Sequence, residues 1–128
     1  MIIYKTLYYD KRRIRKKSQT FNIAIIKASE NLPKNAAGYE LAKQIIRSAG
    51  SVGSNYRAAC RAKSTSDFIY KIEVIIEEAD ESLYWLEVIE EAGLSTNAII
   101  APLAKEANEL VSIFVATVKT VKSNNKKS

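Results

Sequence analysis

Arg47, Ser54, Arg57 and Arg61 follow one another at steps of seven, three and four, a spacing that groups them on one side of a helix, with Lys63 just beyond. Arg12, Arg13, Arg15, Lys16 and Lys17 form a second basic run near the start of the chain. Guanidinium groups at helical spacing can pair with successive phosphates, and each contact releases a condensed counterion. Arg12, Arg13, Arg15, Arg47, Arg57, Arg61 and Lys63 are therefore the candidate nucleic-acid-binding residues, with RNA or DNA backbone as the ligand. Base reading is not expected: Asn and Gln are few here, and only Tyr56 and Tyr70 lie near the cluster as stacking groups. The competing reading pairs Arg47, Arg57 and Arg61 with acids of a neighbouring helix, inside one subunit or between subunits.

Those acids are conspicuous. Glu73, Glu77 and Glu81 are four apart and stack on one helix face, flanked by Glu78 and Asp80. Stacked carboxylates supply the oxygen ligands that Mg²⁺ requires. Glu78-x-x-Glu81 followed by Glu106-x-x-Glu109 is similar to the Mg-binding pattern of all-α nucleotide pyrophosphatases, although that family expects Asp where this chain has Glu109. Gly50-Ser51-Val52-Gly53 lacks the Gly-Lys-Ser/Thr ending of a phosphate-binding loop. The chain has no histidine, so it cannot form the Glu-x-x-His of a di-iron bundle and lacks the commonest neutral-pH base. Cys60 lies between Arg57 and Arg61, which could lower its pKa, yet with no base partner it reads as a small buried helix residue. No catalytic residue, metal site or cofactor is expected.

Helices must position these groups. Four segments have apolar residues at helical spacing. The first runs through Ile14, Phe21, Ile25, Ala28 and Leu32 and stops at Pro33. The second carries Leu41, Ile45, Ala49, Val52, Tyr56 and Ala59. Gly50 and Gly53 cost this helix ~1 kcal/mol each relative to Ala, which predicts a closely approaching neighbour or, alternatively, a break. The third opens on a Ser64–Asp67 capping box and continues through Phe68, Ile72, Ile75, Ala79, Leu83, Leu86 and Ile89 to a C-terminal Gly93. A second apolar row, Ile69, Ile76, Tyr84 and Val88, widens its stripe beyond one core face and could meet another subunit, with Trp85 either anchoring that interface or packing in the core. The fourth begins near Ser95 or Thr96 and carries Ile99, Leu103, Ala107, Leu110, Phe114, Val118 and Val121, with Pro102 expected to bend or delay its first turn. Short joints between four helices predict an all-α, up-down-up-down antiparallel four-helix bundle. It forms one domain over residues 1–128, with 1–11 and 123–128 expected to be flexible or frayed.

The formal net charge of +6 is unevenly placed: residues 1–17 sum to +6, 18–66 to +5, 67–91 to −8 and 92–128 to +3. A basic first half beside an acidic third helix can steer anionic partners, whether nucleic acid or an acidic protein, or let copies meet head to flank; a merely solvated surface is the alternative. With 128 residues, one Cys, 4 Gly and 2 Pro, the chain leaves no room for a disulfide framework or a turn-rich β fold. No apolar run reaches membrane-spanning length, and Met1–Lys5 lacks the order of a signal peptide, so a cytoplasmic location is expected.

The run from Leu41 to Ser64, with its Arg47-Ser48-x-x-Ser51-x-x-x-Asn55 core and following Arg57, is carried on by Ser64-x-x-Asp67-Phe68 and by Glu78-Ala79-Asp80-Glu81-Ser82-Leu83-Tyr84-Trp85-Leu86-Glu87. Together these resemble the four-helix-bundle proteins linked to intervening sequences in bacterial 23S ribosomal RNA genes, over roughly residues 12–122. The chain is also similar to the accessory variability proteins of diversity-generating retroelements. The resemblance implies an up-down bundle assembled as a ring, commonly a homo-pentamer, with nucleic-acid and reverse-transcriptase partners on the retroelement side and no enzymatic activity. The chain departs from the family in lacking an early Trp-Gln pair and in reading Arg57-Ala58-Ala59 where Ala-Glu-Gly is frequent. That departure bears on the partner rather than on the fold.

Overall fold

A computed structural model describes the backbone of residues 2–127 and the side chains of residues 11–125. Four helices follow in order: α1 (Ile2–Ser29), α2 (Ala36–Ala59), α3 (Thr65–Glu91) and α4 (Asn97–Lys127). No strand occurs among the described residues. The short joints turn each helix back along its predecessor, giving the expected antiparallel four-helix bundle. α3 packs broadly against α2 and α4, α1 packs against α2, and the α1–α4 seam is thin. The expected fraying of 1–11 and 123–128 falls on the ends of α1 and α4, where the side chains of 1–10 and 126–128 lie outside the described residues.

Local chemistry explains each helix boundary. The Asn35 side chain caps α2 by accepting the Gly38 N–H at 3.0 Å. Pro33 folds over this turn so closely that a Cβ on Gly38 would fall 1.8 Å from its carbonyl oxygen. Ser64 caps α3 by accepting the Asp67 N–H at 3.1 Å, and Asp67 reaches back to the Lys63 N–H at 3.2 Å. The reciprocal box is therefore present, shifted by one residue on its return arm. Gly93, at φ +73°, closes α3 with bonds from its own N–H to Glu90 and from the Leu94 N–H to Ile89, the paired pattern that satisfies the last carbonyls. Pro102 lies inside α4, beyond the first turn. The helix continues through it because the carbonyl it leaves without a donor, on exposed Ala98, can be solvated.

The core follows the apolar stripes. Phe21, Ile25, Ile45, Val52, Ile72, Ile75, Leu86, Leu110 and Phe114 are all buried, and the rings of Tyr56 and Phe114 meet at 5.5 Å. α2 is continuous through both internal glycines, so the small-residue stretch is not a break. Its two flanks serve different neighbours. Toward α1, a Cβ on Gly53 would stand 3.6 Å from Ser18 Cβ, and one on Gly50 would stand 3.7 Å from Asn22 Oδ1. Toward α3, Ser82 donates to Ser48 Oγ at 3.0 Å, Ser48 donates to the Ile45 carbonyl at 3.2 Å, and the Glu78 carbonyl lies 2.9 Å from the same Ser82 oxygen. Both hydroxyls are fully buried and satisfied. α1 does come close at the glycines, yet at distances an alanine would tolerate.

Candidate nucleic-acid interface

Two contacts set the α1–α2 register: Ser18 opposite Gly53 and Asn22 opposite Gly50. One turn outward from Ser18 is Arg15, and one turn outward from Gly53 is Arg57, so these two residues face each other across the seam of the antiparallel pair. A further turn brings Arg12 toward Arg61, which follows α2 in the turn after Cys60. All four side chains are exposed. Among the described residues, no acid lies within ion-pair distance of any of them. Four guanidinium groups thus share the outer face of one end of the α1/α2 pair, placed there by the register of the seam.

The other candidates separate from this group. Arg13 is exposed but lies one turn before Lys17, on the flank of α1 turned toward α4. Arg47 belongs to the α2–α3 seam, paired with Glu81 and, at 3.4 Å, with Glu78. Burial raises the Glu78 pKa, and the Arg47 charge opposes that shift without cancelling it. Of the pairing that the competing reading expects for Arg47, Arg57 and Arg61, the part within one subunit is present for Arg47 and, among the described residues, absent for Arg57 and Arg61. Lys63 is exposed beside the α3 N-terminus. Asp67 there is held below the ordinary carboxylate pKa, first by Lys71 at 2.7 Å and then by the Lys63 N–H. Tyr56 is buried at 3% exposure against Phe114 and offers no face to a base, whereas Tyr70 is exposed on α3. Of the two tyrosines near the cluster in sequence, Tyr70 alone keeps an exposed ring.

The carboxylates do not converge on a metal. Glu78 and Glu81 meet Arg47 on one seam, whereas Glu106 and Glu109 meet Lys17 of α1 at 2.7 and 2.8 Å on another. Glu73 faces Lys122 at 3.6 Å. No group of three or more Asp, Glu or Cys among the described residues is arranged to hold an ion. The pyrophosphatase-like spacing therefore reflects two ion-pair seams. Lys17 was readable only as part of the basic run, yet it clamps α1 to α4; its pKa is raised by hydrogen bonds to Glu106 and then Glu109, and that of Glu109 is lowered by Lys17 in return. Glu106-x-x-Glu109 was the signal that could have revealed this clamp. Cys60 is half-buried against the core.

The proposed subunit row also divides. Ile69, Ile76 and Trp85 are half-buried and pack against this chain's own core, because a bundle helix flanked on both sides needs a stripe wider than one face. Val88 is half-buried, and Tyr84 is 54% exposed with its ring 4.9 Å from Trp85 in an edge-on contact. The Trp85 indole N–H is buried without a hydrogen-bond partner.

An all-α bundle with a basic α1/α2 end and an acidic third helix is the class of protein that fold and site define. Residues 10–116 match a family model described as 23S rRNA-intervening sequence protein, and the chain belongs to that family. It is similar to a crystal structure of a protein of unknown function from the S23 ribosomal protein family of Bacteroides thetaiotaomicron, with 29% identity and a TM-score of 0.78 over 83% of this chain and 98% of that one. No curated protein matches the chain. No helix of the described residues is long and apolar enough to cross a membrane.

Proposed function

We propose that this chain is a non-enzymatic, self-assembling bundle of the bacterial cytoplasm that binds RNA or DNA backbone through Arg12, Arg15, Arg57 and Arg61. The observation that carries the reading is the four exposed guanidinium groups gathered across one helix seam with no acid of the described chain to neutralise them. Charges left in this state bind phosphate by counterion release and impose no base sequence. Assembly into a ring, five-membered as the family resemblance implies, would multiply a weak single-subunit site through avidity. An accessory partner such as a reverse transcriptase, which the retroelement likeness implies, would then meet nucleic acid already held on the ring.

The test is a salt titration of binding to a mixed RNA and DNA oligonucleotide pool. Four phosphate contacts predict a slope of log Kobs against log salt of about −3.6 for duplex and about −2.8 for single strands. Arg57→Gln with Arg61→Gln should halve that slope, and Arg47→Gln should leave it unchanged. Absence of binding at low salt would refute the reading. A second reading, a purely structural oligomer that uses arginine–acid complementarity, is favoured by the Arg47–Glu78–Glu81 cluster. It predicts assembly without any nucleic-acid affinity.

A further inference from the structure

We propose that the four arginines at the end of the α1/α2 seam form a site for a compact polyphosphate, the chemistry shared by a free nucleoside triphosphate and the 5′-triphosphate end of an RNA chain. Such a site rests on the phosphate-binding reading and narrows it, from an evenly spaced backbone to a terminal cluster of phosphates.

Charge density singles out this ligand. Arg12 and Arg15 are three residues apart on α1, about 4.5 Å along the helix. Past the end of α2 the N–H groups of Cys60, Arg61 and Ala62 bond to the carbonyls of Tyr56, Ala58 and Ala59 at 3.0 Å, so the chain keeps winding and Arg61 stays on the side of Arg57. Packed helices lie about 8–10 Å apart axis to axis, so the four guanidinium groups arise from a patch of about 5 by 9 Å. One strand of B-form carries a charge for about every 3.4 Å of rise, so a strand laid along the seam sets about two phosphates over the patch. A duplex adds its other strand only across a groove about 6 or 12 Å wide. Both leave cationic charge unmatched. A triphosphate end sets three phosphates side by side, with one charge on each inner phosphate and about −1.5 to −2 on the last. That total is close to the charge of four guanidinium groups.

The surroundings suit capture of such an anion. Arg15 and Arg57 face each other across the seam, and each planar fork can take two phosphate oxygens, so a phosphate chain between them is held from both sides. Exposed Ser54 lies one turn before Arg57 and exposed Gln19 one turn after Arg15, neutral donors at the inner edge of the patch. No acid among the described residues lies within ion-pair distance of the four arginines. With no carboxylate to share it, Mg²⁺ would draw phosphate oxygens away from the guanidinium groups instead of bridging to them. None of these side chains is a general base, so the site captures the anion and does not cleave it.

The experiment is calorimetric titration of the full chain with inorganic tripolyphosphate and with orthophosphate at constant ionic strength. Tripolyphosphate should bind about tenfold tighter or more and raise Tm, and excess Mg²⁺ should weaken it. Arg15→Gln and Arg57→Gln, one from each side of the seam, should each lower its affinity about tenfold. Arg57→Lys should lower it several-fold although the charge is kept, and Arg47→Gln should leave it unchanged. Unchanged helical circular dichroism confirms that each variant folds. Two RNAs of one sequence, with 5′-triphosphate and 5′-hydroxyl ends, test the source, and the first should bind about tenfold tighter. Its displacement by an equal concentration of ATP assigns the site to the free nucleotide; a need for large excess assigns it to the RNA end. Equal affinity for the two inorganic ligands or for the two RNAs, tighter binding in Mg²⁺, or full affinity in Arg57→Gln would overturn the proposal. If the salt slope of oligonucleotide binding survives that outcome, the backbone reading stands and the compact site alone falls.

Discussion

The α1–α2 seam positions the arginines, and its two kinds of glycine give it opposite responses to the same substitution. Gly53 lies inside α2, where replacing Gly by Ala stabilises a helix by about 0.8–1 kcal/mol. The new methyl would meet Ser18 Cβ at 3.6 Å and the Ser18 carbonyl carbon and oxygen at 3.8 Å, ordinary contact distances that require no movement. Unfolding entropy of about 2.1 cal/mol/K per residue makes 1 kcal/mol worth about 3–4 °C in a chain of this size. Gly53→Ala should therefore raise Tm by about 3 °C. Gly38 is the contrast: its added methyl would lie 1.8 Å from the Pro33 carbonyl oxygen and 2.8 Å from the carbonyl carbon, both backbone atoms. Gly38→Ala must displace the α1–α2 turn and the Asn35 cap, a loss of about 2 kcal/mol or more. Thermal unfolding followed by circular dichroism on both variants provides the assay. If Gly53→Ala destabilises as Gly38→Ala does, α1 lies closer to α2 than described and the register that gathers Arg12, Arg15, Arg57 and Arg61 is wrong.

Two further tests address the other seams. Lys17→Met should loosen α1 from α4 and raise hydrogen exchange in α1 at neutral pH. The Glu109 pKa is lowered in the folded state, so its contribution is present above the ordinary carboxylate range and is lost as pH falls through the depressed value. Lys17, raised in the folded state, keeps its contribution at every pH below its ordinary value and loses it only in strong alkali. The stability gap between wild type and Lys17→Met should therefore shrink in acid, and a gap unchanged by acid would refute the clamp. In the α2–α3 seam, Ser82→Ala should cost about 1 kcal/mol in urea unfolding, while Ser48→Ala with Ser82→Ala should cost less than the sum of the singles. Strict additivity would mean that the buried hydroxyls do not interact.

What was legible in the sequence was whatever a few consecutive residues decide. Ser64, Asp67 and Gly93 act through backbone groups within one turn of themselves, so the ends of α3 could be placed from local residue order alone. The apolar stripes could be read because burial acts on every turn of every helix. The fate of the arginines was of another kind. Arg47 and Arg57 are ten residues apart, and at about 100° per residue the later one lags a full set of turns by about 80°. Steps of seven and three each look like one face, but their drifts add. That rotation carries Arg47 to the α3 side, where Ser48 meets Ser82, and leaves Arg57 on the α1 side, where Gly53 meets Ser18. Which acids a cation finds then depends on the neighbouring helix at that rotation. α3 presents Glu78 and Glu81 to Arg47, whereas the matching stretch of α1 presents Arg15 and Arg12 to Arg57 and Arg61. Like charges facing each other across a packed seam oppose folding unless an anion joins them. Their juxtaposition is thus the strongest physical reason to look for a phosphate on this face: Arg57→Gln with Arg61→Gln, which removes two positive charges, should stabilise the bundle at low salt while weakening its hold on nucleic acid.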